Sequence, residues 1–228
     1  MRKNFLKISL LAALGLVSVV FTSCKDNELK EQPTPSDPKT TDAGVVINGV
    51  TWATRNVDAF GTFAKTPESA GMFYQWNRPK AWADTGAVID WDASYFIDKI
   101  WKEANDPSPK GWRVPTKEEL QSLLDTEKVT NKWTTQNGIN GRKFTDKVTG
   151  ASLFFPAVGR RDPIGGLGGT NSGYYWSCTP RKEPSPFDEN APTEAYYCAY
   201  FLSFDKNKAD EYGNLRSFGL SIRPVLAE

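Results

Sequence analysis

Gly111-Trp112-Arg113-Val114-Pro115-Thr116-Lys117-Glu118-Glu119 carries the densest structural signal in the chain. Thr116 stands where a helix N-cap belongs. Its hydroxyl can accept the N–H of the third helical residue while Glu119 reaches back to the cap, which is a capping box. Leu120, Leu123 and Leu124 then recur at helical spacing and predict a core-facing stripe. Trp112 and Val114 read as core. Arg113, beside an aromatic residue, reads as a stacked or paired arginine that locks a loop.

Upstream, Val45-Val46-Ile47 and Val50-Thr51-Trp52 flank Asn48-Gly49. Both turn residues tolerate positive φ, so the domain is predicted to open with a β-hairpin. Residues 68 to 76 are apolar and aromatic without a clean period, which leaves helix and strand both open. Residues 92 to 104 place Phe96, Ile97, Ile100, Trp101 and Ala104 on one helical face before Pro107 and Pro109, predicting a second helix. Downstream, Phe144 and Leu153-Phe154-Phe155, joined through Thr149-Gly150, read as an antiparallel pair. A Gly-rich loop (159 to 173), a strand around Tyr175-Trp176-Ser177, a polar loop (179 to 194), a strand from Ala199 to Phe204 and a last strand from Phe218 to Val225 follow. Many antiparallel strands and hairpins with one or two short helices give an α+β fold class. Residues 44 to 228 are 185 positions holding all eight Trp, enough for one core.

The amino terminus reads differently. Arg2, Lys3 and Lys7 precede an apolar run from Ile8 to Phe21, then the small pair Thr22-Ser23 and Cys24. That is the order of a secretory signal, and the run is short for a membrane span of about 20 residues. A cysteine after small residues resembles the lipobox of bacterial lipoproteins, which implies cleavage after residue 23 and a lipid on Cys24. Lys25-Asp26-Asn27-Glu28 resembles the export signal of surface lipoproteins in the Bacteroidetes, implying an outer-membrane protein facing the cell exterior. Residues 24 to 43 are nearly devoid of apolar side chains and are expected to form a solvated, disordered tether. Removing residues 1–23 leaves 25 basic against 27 acidic groups, a net charge of −2 that predicts no nucleic-acid partner.

Ile47 to Trp52 with Asn56-Val57, Phe73-Tyr74-Gln75-Trp76, Gly111 to Thr116 with Glu119, Gly173 to Ser177, Ala199 to Phe204 and Gly219 to Val225 occur in the order of a known family. In this respect residues 44 to 228 resemble the Fibrobacter succinogenes major paralogous domain. The resemblance implies a C-type-lectin-like fold, shared with the formylglycine-generating enzymes, and a surface or secreted protein. It fixes no activity.

The chain contains no His, which excludes a Ser-His-Asp or Cys-His arrangement. Asp90 and Asp92 flank Trp91 as a solvated loop would. Gly165-Gly166-Leu167-Gly168-Gly169 lacks the Lys-Ser/Thr and the following helix of a phosphate cradle. Glu183-Pro184-Ser185 has Ser where true C-type lectins carry the amide that ligates calcium and sugar. No metal or cofactor is assigned, and no catalytic residue. The related oxidases use two cysteines close together near the domain's end, whereas Cys178 and Cys198 are far apart, which disfavours the enzyme reading. Cys178 ends one predicted strand and Cys198 begins the next, so a disulfide is expected to clip the loop between them.

In the C-type-lectin-like fold the ligand face is built by the last strands and their loops. If Tyr200, Leu202 and Phe204 face inward, strand alternation turns Phe201 and Ser203 outward. Arg160, Arg161, Asp162, Tyr174, Lys208, Asp210, Glu211, Tyr212, Asn214 and Leu220 are expected to join them, since Tyr, Arg and Asn suit recognition. The sequence therefore implies a surface-displayed, non-catalytic binding or adhesion lipoprotein whose partner is an extracellular glycan or protein. An enzyme related to the formylglycine-generating oxidases and a structural envelope component stand as alternatives.

Overall fold

The computed structural model describes residues 37–94, 98–181 and 198–227, all within a unit running from Ser36 to Glu228. Residues 1–36, and with them Cys24, lie outside the described residues, as does Glu183-Pro184-Ser185. The opening hairpin forms as expected: β1 (Val45–Ile47) pairs with β2 (Val50–Trp52) across Asn48 and Gly49, whose φ values are 48° and 80°. The ambiguous apolar stretch resolves as a strand, β3 (Phe73–Gln75), paired with β4 (Ala81–Trp82). Next come β5 (Trp112–Arg113) and the only α-helix among the described residues, α1 (Lys117–Ser122). A second hairpin, β6 (Val129–Gln136) and β7 (Ile139–Asp146), leads into β8 (Ser152–Pro156), where Phe144 faces Leu153. The Gly-rich stretch contributes β9 (Arg160–Arg161) and β10 (Leu167–Gly168). The chain finishes with β11 (Gly173–Arg181), β12 (Cys198–Phe204), β13 (Ala209–Leu215), β14 (Gly219–Leu220) and β15 (Val225–Leu226).

These strands make four sheets, ordered β1-β2-β15-β5, β10-β9-β14-β3-β4, β11-β12-β13 and β6-β7-β8. The pairings between these strands are antiparallel, with one isolated parallel bridge from Tyr175 to Ser221, and the described residues are mostly β with little helix. The expected last strand from Phe218 to Val225 is split. β14 joins β3 and β9, while β15 crosses to β2 and β5 and brings the end of the chain beside its opening hairpin.

The capping box is realised. Glu119 N donates to Thr116 Oγ1 at 3.2 Å and Thr116 N donates to Glu119 Oε2 at 2.7 Å. Arg113 adds a fork, donating through Nη1 and Nη2 to the two Glu119 oxygens at 2.9 and 2.7 Å. Glu119 thus ties β5 to the start of α1. Leu120 and Leu123 beneath it are buried against Ile47, Val129, Phe144 and Leu202. Arg223 is also a locking arginine, 4.6 Å from the Phe155 ring centroid and donating to Asn56 Oδ1 and the carbonyls of Ala53 and Thr54.

Three expectations are corrected here. The helix predicted over 92–104 is not formed in the described part of that segment, which contains only a 3-10 turn at Glu103–Asn105. Of the predicted apolar face, Ile100 is 66% exposed and Trp101 packs against the core, while Phe96 and Ile97 lie outside the described residues. Side chains hold the segment instead: Asn77 Oδ1 accepts from Lys102 N, Asp98 pairs with Arg78, and Trp101 packs edge-on to Trp76.

Second, the tether expected over 24–43 ends before residue 43, because part of it belongs to the folded unit. The Asp42 side chain is 1% exposed and accepts from Gly44 N, Thr54 N, Thr54 Oγ1 and Arg55 Nε at 2.8–3.0 Å. Arg55 also donates to the carbonyls of Pro38 and Thr41, and the Lys39 carbonyl accepts from Phe63 N. Third, Cys178 and Cys198 are not bonded to one another. The β11–β12 register sets Arg181, not Cys178, opposite Cys198, with a bulge between Trp176 and Pro180.

Candidate functional site

The sheet β11-β12-β13 decides where the expected ligand residues go. Antiparallel register places Tyr174 opposite Ser203 and Ser203 opposite Asp210; Trp176 faces Phe201, which faces Tyr212; Ala199 faces Asn214. Directly opposed residues share a face, so these three rows lie together on one side of the sheet. The other side carries Tyr175, Leu202 and Phe204, which enter the core with Phe144, Phe155 and Val225.

Rings run across the first side in contact. The Tyr174 and Phe201 centroids are 6.2 Å apart and those of Phe201 and Tyr212 6.0 Å, within the range of productive aromatic pairs. A cation stands at each end. The Arg160 guanidinium lies 4.6 Å from the Tyr174 centroid and 4.6 Å from that of Phe218. Lys208 Nζ lies 5.1 Å from the Tyr212 centroid and donates to its hydroxyl oxygen, a contact that pushes the lysine pKa up. Ser203, Tyr212 and Asn214 are half-buried, and Lys208 and Asp210 are exposed.

Not every expected residue belongs to this face. Phe201 is 4% exposed and packs with Trp176, Leu220 and Ile222, so it is the floor beneath the tyrosines. The alternation argument gave its side of the strand correctly but not its burial, because the centre of β12 is covered on both sides. Leu220 is fully buried in the same cluster. Arg161 is buried and donates to the carbonyls of Ala83, Thr85, Gly86 and Gly165, which makes it an internal clamp between two loops. Burial lowers its pKa. Asp162 is occupied with its own turn, its Oδ1 accepting from Ile164 N and Gly166 N at 3.0 and 2.8 Å. Glu211 opposes Leu202 and points toward α1, where Lys117 lies 3.9 Å away; burial raises its pKa.

Sequence reasoning missed two concavities. One, of about 470 Å³, is lined by Thr66, Glu68, Asp84, Asn137 and Ile139. Glu68 there accepts from Gln136 Nε2 at 2.5 Å and Asn137 Nδ2 at 2.9 Å. Burial acts to raise its pKa, but these hydrogen bonds outweigh it and hold the carboxyl below the usual range. The signal that could have found it is Asn137-Gly138, a second Asn-Gly turn at the tip of β6–β7. The other, of about 370 Å³, is lined by Trp101, Asp106, Arg113 and Cys178. Burial pushes the Cys178 thiol up to about 11, which leaves it a poor nucleophile near neutral pH.

Among the described residues no three acidic or sulfur side chains cluster as a metal site requires, and no helix is long and apolar enough to cross a membrane. Comparison of the chain with known protein families, curated proteins and solved structures finds no match.

Proposed function

We propose that this chain is a surface-displayed, non-catalytic binding or adhesion lipoprotein. Its Cys24 carries the lipid, it sits in the outer membrane facing the exterior, and its domain is a C-type-lectin-like member of the family it resembles. The ligand, an extracellular glycan or protein, lies on the face of β11-β12-β13. One observation carries this reading: Tyr174, Ser203, Asp210, Tyr212 and Asn214, chosen as recognition residues from the sequence, fall on one side of one sheet. Half-buried tyrosines over a rigid floor give large contact area at low entropy cost, as binding surfaces require. The return of β15 to the opening hairpin and the capped α1 beside β12 agree with a lectin-like domain. The unpaired geometry and poor acidity of Cys178 favour binding over oxidase chemistry.

The test is a screen of the full chain, purified in mild detergent, against glycan and extracellular-protein arrays, beside a variant carrying Tyr174→Ala, Ser203→Ala, Tyr212→Ala and Asn214→Ala. Saturable binding that the variant loses is the expected result. No binding, or equal binding by both proteins, overturns the site.

A further inference from the structure

Arg160 is the least explained cation near the proposed face. Other arginines of the domain each donate side-chain hydrogen bonds to protein groups: Arg113 to Glu119, Arg161 and Arg223 largely to carbonyls, and Arg142 to Asn131 and the Asp205 carbonyl. Arg160 differs. It is half-buried against the rings of Tyr174 and Phe218, and among the described residues its guanidinium makes neither a hydrogen bond nor an ion pair. Contact with rings steadies the charge through their quadrupoles but uses none of the five N–H donors. The side chain is therefore held in place with its hydrogen-bonding capacity unspent. Its partial removal from water has been offset only by aromatic contact. A planar anion that accepts two parallel N–H bonds is the complement of such a group.

Resting on the reading that this face binds a ligand, we infer that the ligand is an acidic oligosaccharide whose carboxylate is received by Arg160. A sugar is favoured by what shares that side of the sheet: the half-buried Tyr174 and Tyr212 supply aromatic carbon for the C–H groups of a pyranose, and the half-buried Ser203 hydroxyl and Asn214 amide are groups that hydrogen-bond sugar hydroxyls. Lys208 at the far end of the ring strip supplies a second positive charge, separated from the first by Tyr174, Phe201 and Tyr212. Two cations set apart along an aromatic strip match acids spaced along a saccharide chain. Asp210, exposed on the same face, disfavours a densely charged polyanion.

The experiment titrates the full chain in mild detergent with a hyaluronan oligosaccharide, which carries a carboxylate on every second sugar, and with the same oligosaccharide after carboxyl reduction. Variants Arg160→Gln, Arg160→Lys, Lys208→Gln and Tyr212→Ala are compared, each checked for an unchanged melting temperature. The expected result is saturable binding of the acidic probe at least tenfold tighter than of the reduced one, since charge-assisted bidentate hydrogen bonds supply about that factor or more. R160Q loses that preference, and R160K keeps part of it because the charge survives but the fork does not. If R160Q is unstable, R160K and K208Q carry the same comparison, and loss of preference with rising salt supports it. Equal binding of both probes that Y212A abolishes overturns the acidic specificity and leaves the face intact. Binding that neither Y212A nor R160Q alters overturns both the inference and the face. Absence of binding to either probe overturns the inference, and the array screen above then decides the face on its own.

Discussion

Substituting Asp42 by Ala tests whether the folded unit begins before the opening hairpin. The Asp42 carboxylate accepts two backbone N–H groups, one hydroxyl and the Arg55 guanidinium, and it is almost wholly buried. Removing one partner from such a group costs about 3 to 5 kcal/mol when the remaining charge is stranded. Here Arg55 keeps the carbonyls of Pro38, Thr41 and Ala64, so the loss belongs near the lower end, about 3 kcal/mol. At roughly 2 to 4 °C per kcal/mol for a unit of this size, the melting temperature should fall by roughly 6 to 12 °C. Thermal unfolding by circular dichroism at neutral pH measures it.

The dependence on pH adds a second handle. Burial acts to raise the Asp42 pKa, but the hydrogen bonds from Thr54, Gly44 and Arg55 outweigh it and hold the carboxyl below its ordinary 3.8. A depressed folded value means that the stabilisation is fully present above the unfolded value and is lost as pH falls through the folded one. Wild type and D42A should therefore differ by a constant amount from neutral pH down to about pH 4, then converge in stronger acid. A D42A protein melting within about 1 °C of wild type would refute the reasoning, because residues 37–43 would then behave as a solvated tether.

Phe201→Ala should destabilise by about 3 to 4 kcal/mol, whereas Ser203→Ala, two positions along the same side, should change stability by less than about 0.5 kcal/mol; chemical denaturation distinguishes a core residue from a half-buried one at the surface. Thr116→Ala should cost about 1 kcal/mol by removing the cap of α1. Glu119→Ala should cost more, about 2 kcal/mol, because Arg113 and the Thr116 N–H lose their acceptor together; equal losses in the two variants would show that the Arg113 fork contributes nothing. Cys178 in the native protein should alkylate at pH 8 about a hundredfold more slowly than an ordinary thiol, its rate rising about tenfold per pH unit toward pH 10. Alkylation at the rate of an unperturbed cysteine would contradict the burial argument.

The opening hairpin, the pairing of Phe144 with the Leu153 strand and the capped helix were legible in the sequence because each rests on residues close together in the chain. Asn48-Gly49 supplies its own backbone conformation, and Thr116 with Glu119 closes a hydrogen-bonded ring within one turn. That Phe201 and Ser203 share the side opposite Leu202 and Phe204 was legible for the same reason, since alternation along a strand is a local rule. Where partners come from distant positions, the sequence was silent or misleading. The apolar period over 92–104 is a good helical pattern, yet among the described residues Ile100 is left exposed, and Asn77 and Arg78 hold that segment in another shape. Asp42 looks like one more polar residue of a tether until Thr54 and Arg55 are brought to it. β13 has little apolar content, and it becomes a strand by hydrogen bonding to β12. Arg160 and Arg161 are neighbours of the same type, one facing the rings of Tyr174 and Phe218, the other sealed among carbonyls. Only tertiary structure separates them, because burial and hydrogen-bond supply are properties of the surroundings and are not written in the side chain.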